Sequence, residues 1–240
     1  MHSPFVFDFI LHVLNNKKNY PSHPEIEKLR KKLLNDNREI EVEDLGAGSR
    51  KNNRQKKTIS QITSSAAKPK KYAEVLSRLA KHYGSQTIIE LGTSLGLTTA
   101  YLSKANPSSH VITIEGSASV FQAAAQNLSE LGCSNVKMLQ GNFDDLLLQV
   151  LQEIPPPDLV YIDGNHRYEP TVRYFEQLLP VIHEGSILVF DDIHWSAEME
   201  KAWDYIRQHK QVCYTVDIFF LGFVFFRKEF KSKQDFVVRF

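Results

Sequence analysis

Glu90-Leu91-Gly92-Thr93-Ser94-Leu95-Gly96-Leu97-Thr98 decides the fold. It joins a buried apolar strand, Thr87-Ile88-Ile89-Glu90-Leu91, to a helical pattern running from Leu95 to Lys104. Gly92 permits a tight turn and close approach of a ligand to the backbone. Gly96 opens the helix, whose first amides favour an anionic group. Thr98 can offer a hydroxyl to a ligand carboxylate, and Glu90 and Thr93 belong to the same turn. The spacing is G-x-x-x-G, not the G-x-G-x-x-G of dinucleotide sites, which disfavours a nicotinamide dehydrogenase. Taken alone, the two glycines fit a bare tight turn equally well.

The strands that follow add partners. His110 to Glu115 is a strand whose last residue lies 19 positions after Gly96. A carboxylate there can accept both hydroxyls of a ribose. Gly116 extends that strand end. Val136 to Gln140 runs into Gly141-Asn142-Phe143, where an amide and a ring can read and cover an adenine. All of these lie at carboxyl ends of strands, where open α/β sheets bind ligands.

Further out, strands and helices alternate. Helices are expected over 72–83, 118–131, 143–151, 170–179 and 196–209, with strands over 158–163 and 186–190 between the later ones. Two β-rich runs without an intervening helix, 211–217 and 219–227, close the pattern as an antiparallel hairpin. The fold class is α/β: a doubly wound, mostly parallel seven-stranded sheet with a terminal antiparallel hairpin. Residues 71–240 form this domain, and 1–70 an N-terminal helical and irregular extension. Within the extension, Ser3 and Pro4 start one helix, 25–34 is a second, and 40–67 has no regular pattern.

Two strands end in acids. Tyr161-Ile162-Asp163-Gly164-Asn165-His166 ends one, and Val189-Phe190-Asp191-Asp192-Ile193-His194-Trp195 the next. Neighbouring strand ends would gather Asp163, Asp191 and Asp192, whose charges repel. A hard divalent cation such as Mg²⁺ resolves that repulsion. Asp163 can instead bind a cofactor amino group without metal, Asp192 can cap the following loop, and His166 and His194 can be surface residues. Trp195 is a candidate substrate wall, whereas Trp203 reads as core.

These residues resemble the class I S-adenosylmethionine-dependent methyltransferases. Glu90-Leu91-Gly92 with Gly96, Glu115, Asp163 and Asp191-Asp192 is similar to the catechol-type and macrolide-sugar-type metal-dependent O-methyltransferases, over roughly residues 72–226. The opening His2-Ser3-Pro4-Phe5 and the Gly46-Ala47-Gly48-Ser49 loop look like a bacterial subgroup of methyltransferases. The resemblance implies S-adenosylmethionine as cofactor. Gly92 and Thr98 would lie at its methionine end, Glu115 at its ribose, and Asn142 and Phe143 near adenine. It further implies Mg²⁺ on Asp163, Asp191 and Asp192, with Asp163 and His166 catalytic and His166 the general base. Asp192 sides with the sugar-type members, since the catechol type carries asparagine there. The acceptor implied is a small-molecule hydroxyl.

Composition sets the remaining bounds. With 42% apolar and 24% charged residues, a sizeable core can form and disorder is excluded. No segment reaches the roughly 20 apolar residues of a membrane span, and the N-terminus lacks signal-peptide features. Cys133 and Cys213 form neither a metal spacing nor a disulfide framework, so a reduced cytoplasmic setting is expected. Residues 1–71 carry 15 Lys/Arg against 8 Asp/Glu, and residues 72–240 carry 14 against 20. Such a basic arm can bind nucleic acid, an anionic substrate, or its own acidic body. Its basic cluster, Arg50 to Lys57, is not interleaved with aromatics, which favours the last two. An RNA methyltransferase is the less favoured reading, and a non-catalytic cofactor-binding protein another alternative. An exposed Phe5/Phe9 face on the first helix would suit a homodimer contact or a lid.

Overall fold

The computed structural model describes residues 3–16, 23–43, 54–230 and 232–240. The Gly46–Ser49 loop and Arg50 and Lys51 lie outside the described residues. In chain order the elements are α1 (Pro4–Phe9), a π-helical turn (Ile10–Leu14), α2 (His23–Leu34), β1 (Glu39–Glu43), β2 (Arg54–Thr58), α3 (Ile59–Ala66), α4 (Lys70–His82) and β3 (Thr87–Leu91). Next come α5 (Leu97–Ala105), β4 (His110–Glu115), α6 (Ala118–Glu130), β5 (Val136–Gln140), α7 (Phe143–Glu153) and β6 (Leu159–Ile162). The chain then runs through α8 (Tyr168–Leu178), β7 (Ile187–Asp191), α9 (Ala197–Gln208), β8 (Tyr214–Asp217), β9 (Leu221–Phe225) and β10 (Gln234–Val237).

The main sheet has eight strands in the order β10-β8-β9-β7-β6-β3-β4-β5, not the seven expected. The addition is β10, a short strand parallel to β8 at the sheet edge. It escapes pattern reading because Gln234-Asp235-Phe236-Val237 offers little for a core: its residues are exposed or half-buried. The terminal hairpin is present, with β8 and β9 antiparallel to each other and β9 antiparallel to β7.

The described residues group into two compact units. The first takes the described residues up to 43 with 54–86 and 92–143; the second takes 87–91 and the described residues from 144 onward. This grouping does not follow the expected boundary at residue 70, because the N-terminal helices share a core with the first part of the α/β pattern. In the first unit Ile26 and Leu29 of α2, Ile62 of α3, Tyr101 of α5 and Leu128 of α6 form one buried cluster. In the second, β3, β6 and β7 pair in parallel as fully buried strands. Burial on both faces explains their unbroken apolar runs.

The first helix buries Val6 and Phe9, and the π-turn buries Val13 and Leu14. The expected exposed Phe5/Phe9 face is corrected: Phe9 is fully buried, and the exposed apolar residues are Phe7 and Leu11. Arg78 of α4, itself buried, fixes this segment. Its Nε donates to Val13 O at 2.6 Å and an Nη to Leu14 O at 3.1 Å. These carbonyls lie at a helix end, where the last C=O groups have no partner within the helix. Arg78→Met is expected to cost about 3 kcal/mol, because both carbonyls lose a charged donor in a buried place. Thermal denaturation should show a melting temperature lower by about 6–12 °C. An unchanged melting temperature would refute this anchoring role.

Residues 40–67, expected to be irregular, contain a two-stranded antiparallel ribbon and α3. In the ribbon Ile40 faces Lys57, Glu41 faces Lys56, and Val42 faces Gln55. Glu41 therefore lies opposite Lys56, and a cross-strand pair of opposite charge stabilises by roughly 0.2–1 kcal/mol. Thr58 ends the ribbon and caps α3 through a reciprocal bond set with Gln61. Among the described residues no helix is long and apolar enough to cross a membrane.

Candidate active site

In the first unit, the turn after β3 is built on glycine conformations. Gly92 has φ 105° and Gly96 φ 80°. The Gly92 and Thr93 amides both donate to Ile114 O, at 3.0 and 3.2 Å. Thr93 Oγ1 bonds Thr113 Oγ1 at 2.6 Å, which locks the turn to β4. A Cβ on Gly96 would come within 3.1 Å of Leu128 Cγ, so this position also needs glycine for space. Gly96 supplies no side chain to cap α5. Thr98 is buried in the first turn of that helix.

Glu115 ends β4 with both carboxylate oxygens engaged. Ser94 N donates to one at 2.9 Å and Ser117 N to the other at 2.9 Å. Burial raises its pKa, while backbone bonds from Ser117, Ser94 and Gly116 pull it back down. Gly141 N donates to the Glu115 carbonyl at 2.9 Å, which places half-buried Asn142 and Phe143 directly after this strand pair. Gly92, Thr93, Gly96, Thr98, Glu115, Gly116, Asn142 and Phe143 therefore all belong to this unit. Glu115→Gln should weaken S-adenosylhomocysteine binding about 10–100-fold, since a charged acceptor of hydroxyl donors is worth about 1.5–3 kcal/mol. Titration calorimetry gives the check, and unchanged affinity would remove Glu115 from the cofactor site.

The second unit gathers the acids. Asp163, His166 and Asp191 place one ligand atom each within 4.8 Å of one another. His166 Nε2 stands 3.5 Å from Asp163 Oδ1. The other oxygen of Asp163 accepts from the hydroxyl of Tyr161 at 2.9 Å. Tyr161 is fully buried, and burial followed by the charges of Asp163 and Asp191 drives its pKa well above the ordinary value. It therefore stays a donor and fixes Asp163. Glu90, fully buried on β3, faces Tyr161 across the parallel pair and adds to the same negative field. Glu90 thus belongs to the second unit.

Asp192 is outside the three-residue group. Its φ is 53° and its amide donates to Phe220 O at 2.7 Å, so the backbone turns away after Asp191. Asn165 also has φ 53°. Left-handed backbone at non-glycine residues is costly and concentrates at functional sites. Asn165 donates to Tyr174 Oη at 2.6 Å, and that hydroxyl donates to Asp144 Oδ1 at 2.7 Å. This relay holds the loop that carries His166. His194 is tied to Asp217 at 2.8 Å and sits against Phe219. Trp195 is 72% exposed, whereas Trp203 is core, with its ring against Gly222.

Sequence reasoning missed Tyr161 and Tyr174. The first has a signal: two positions before Asp163 on a strand, it shares a face with it. Two carboxylates with an imidazole suit a divalent cation, and the oxygens suit Mg²⁺.

Residues 89–193 match a family model described as a methyltransferase domain. Over 126 residues the chain is 29% identical to a catechol O-methyltransferase of Niastella koreensis, covering 51% of this chain and 55% of that one. Over 74 residues it is 30% identical to the uncharacterized protein R132 of Acanthamoeba polyphaga mimivirus, covering 29% of this chain and 34% of that protein. The chain spans about half the length of the first relative and about a third of the second. Among solved structures, the O-methyltransferase TomG of Streptomyces achromogenes in complex with SAM superposes with TM-score 0.62, at 17% identity and covering 93% and 95% of the two chains. The SAH-bound methyltransferase PaMTH1 of Podospora anserina gives 0.65, at 10% identity and covering 95% and 97%. The chain has the Rossmann-like methyltransferase fold, and its segment 89–193 is similar to a methyltransferase domain.

Proposed function

We propose that the protein is an S-adenosylmethionine-dependent O-methyltransferase acting on a small-molecule hydroxyl. The observation that carries this reading is the Asp163–His166–Asp191 group at the ends of β6 and β7, within the segment that matches the methyltransferase domain. Gly92, Thr93, Gly96 and Thr98 would take the methionine end of the cofactor, Glu115 and Gly116 the ribose, and Asn142 and Phe143 the adenine. Residues 71–240 would carry the transfer chemistry, and residues 1–70 would help select cofactor and acceptor.

His166 would act as general base, with a ring nitrogen beside Asp163 at the end of β6. Its Nε2 would take the acceptor's hydroxyl proton, leaving a protonated His166; S-adenosylmethionine, when bound, would supply the methyl group and depart as S-adenosylhomocysteine. Asp163 stabilises that imidazolium from 3.5 Å, and Tyr161 holds Asp163 in place. Asp163 and Asp191, with Asp192 next to them in sequence, would hold Mg²⁺. When bound, the cation would lower the acceptor's pKa and orient its oxygen.

The test is transfer of labelled methyl from S-adenosylmethionine to a panel of sugar, phenol and hydroxy-acid acceptors, with Mg²⁺ and with chelator. Label in a hydroxyl-bearing acceptor supports the reading. Cofactor binding without transfer to any acceptor favours a non-catalytic protein. Label on RNA alone would replace the small-molecule reading.

A further inference from the structure

We infer that the β1–β2 ribbon is a working part of the cofactor site, joined to the ribose-binding turn by Ser117 and Ser119 so that ribbon docking and cofactor binding reinforce each other. This rests on the cofactor reading of Glu115. Ser117 is the N-cap residue of α6, with extended backbone at φ −80° and ψ 120°. A serine there ordinarily accepts from an amide in the helix's own first turn. Ser117 makes no such bond. Its Oγ accepts instead from the Glu43 amide of β1 at 3.2 Å, across 74 residues of sequence.

Two neighbours complete the clasp. Ser119 Oγ donates to the Glu41 carbonyl on the same strand. The Ser117 amide donates to Glu115 Oε1 at 2.9 Å. One residue therefore holds the ribbon with its side chain and the ribose carboxylate with its backbone. Beneath the clasp, Ile40 and Val42 of β1 pack on a cluster that includes Leu95 and Leu97 of the glycine turn and Val120 of α6. Ribbon and cofactor turn thus share both hydrogen bonds and core.

Isolated two-stranded ribbons are marginal in water, so the order of this one depends on its docking. A ribose on Glu115 would fix residues 115–117, and with them the acceptor for the Glu43 amide. Linkage then runs both ways: whatever loosens the ribbon weakens the cofactor by the same factor. A purely structural clasp would hold the ribbon equally with and without ligand.

The experiment is hydrogen exchange of the full chain, free and saturated with S-adenosylhomocysteine, followed over residues 39–43 and 54–58. Exchange slowed by about fivefold or more on ligand binding is expected, the lower range of ordinary coupling. Ser119→Ala, which leaves Glu115 and its amide donors intact, should speed ribbon exchange and weaken S-adenosylhomocysteine by a matching factor. Ser119→Thr, which keeps the hydroxyl, should restore both. Saturable ligand binding with ribbon exchange unchanged overturns the inference while leaving the cofactor reading intact, and the wild-type measurement alone decides this. A folded wild-type chain that binds no ligand overturns both.

Discussion

Asp191→Asn is expected to lose methyl transfer by about 100-fold or more while folding at least as stably as the wild type. Asp191 is 2% exposed and shares its surroundings with Asp163 and fully buried Glu90. Like charges held in a buried place repel, and removing one relieves the folded state. The isosteric amide keeps the side-chain shape. Activity should move the other way, because a carboxylate that holds a cation contributes several kcal/mol to the charge developing at the acceptor oxygen. Opposite signs for stability and activity mark a site selected for chemistry rather than for folding. Thermal denaturation and a methyl-transfer assay on the same preparation give both numbers. Loss of stability with activity retained would assign Asp191 a structural role.

Gly96→Val is expected to abolish measurable cofactor binding and to cost about 2–5 kcal/mol of stability. Gly96 has φ 80°, a region that a β-branched residue occupies only under strain of order 1–3 kcal/mol. The added Cβ would sit 3.1 Å from Leu128 Cγ, and overpacking adds about 1–3 kcal/mol. Relief requires the start of α5 to move away from α6, and that displaces the first-turn amides and Thr98. The melting temperature should fall by about 4–20 °C. A variant that still binds S-adenosylhomocysteine normally would show that the turn is not the binding element.

The strands that carry the site are legible because burial on both faces leaves a simple trace. Thr87–Leu91, Ile187–Asp191 and their neighbours are apolar runs broken at their carboxyl ends by glycine or acid. The ribbon leaves the opposite trace. Glu39-Ile40-Glu41-Val42-Glu43 alternates, but its partner Arg54-Gln55-Lys56-Lys57-Thr58 carries no apolar residue, so only one strand of the pair shows a pattern. Thr58 and Gln61 were a readable signal there, since a T-x-x-Q spacing announces a capped helix start.

The acid group was legible in part. Two strand ends point to Asp163 and Asp191, and the resemblance supplies His166. Asp192, the left-handed residue after the end of β7, is not part of that three-residue group. Tyr161 and the diversion of Ser117 from its own helix involve partners whose meaning depends on what lies above or across from them. Composition and periodicity carry no trace of either.

Whether this fold holds S-adenosylmethionine is read from calorimetric titration of S-adenosylmethionine into the folded full chain, with Mg²⁺ and with chelator. Saturable micromolar binding near one equivalent is expected in both conditions, weakened by Glu115→Gln and lost in Gly96→Val. A chain shown to be folded that takes up no cofactor in either condition would contradict it.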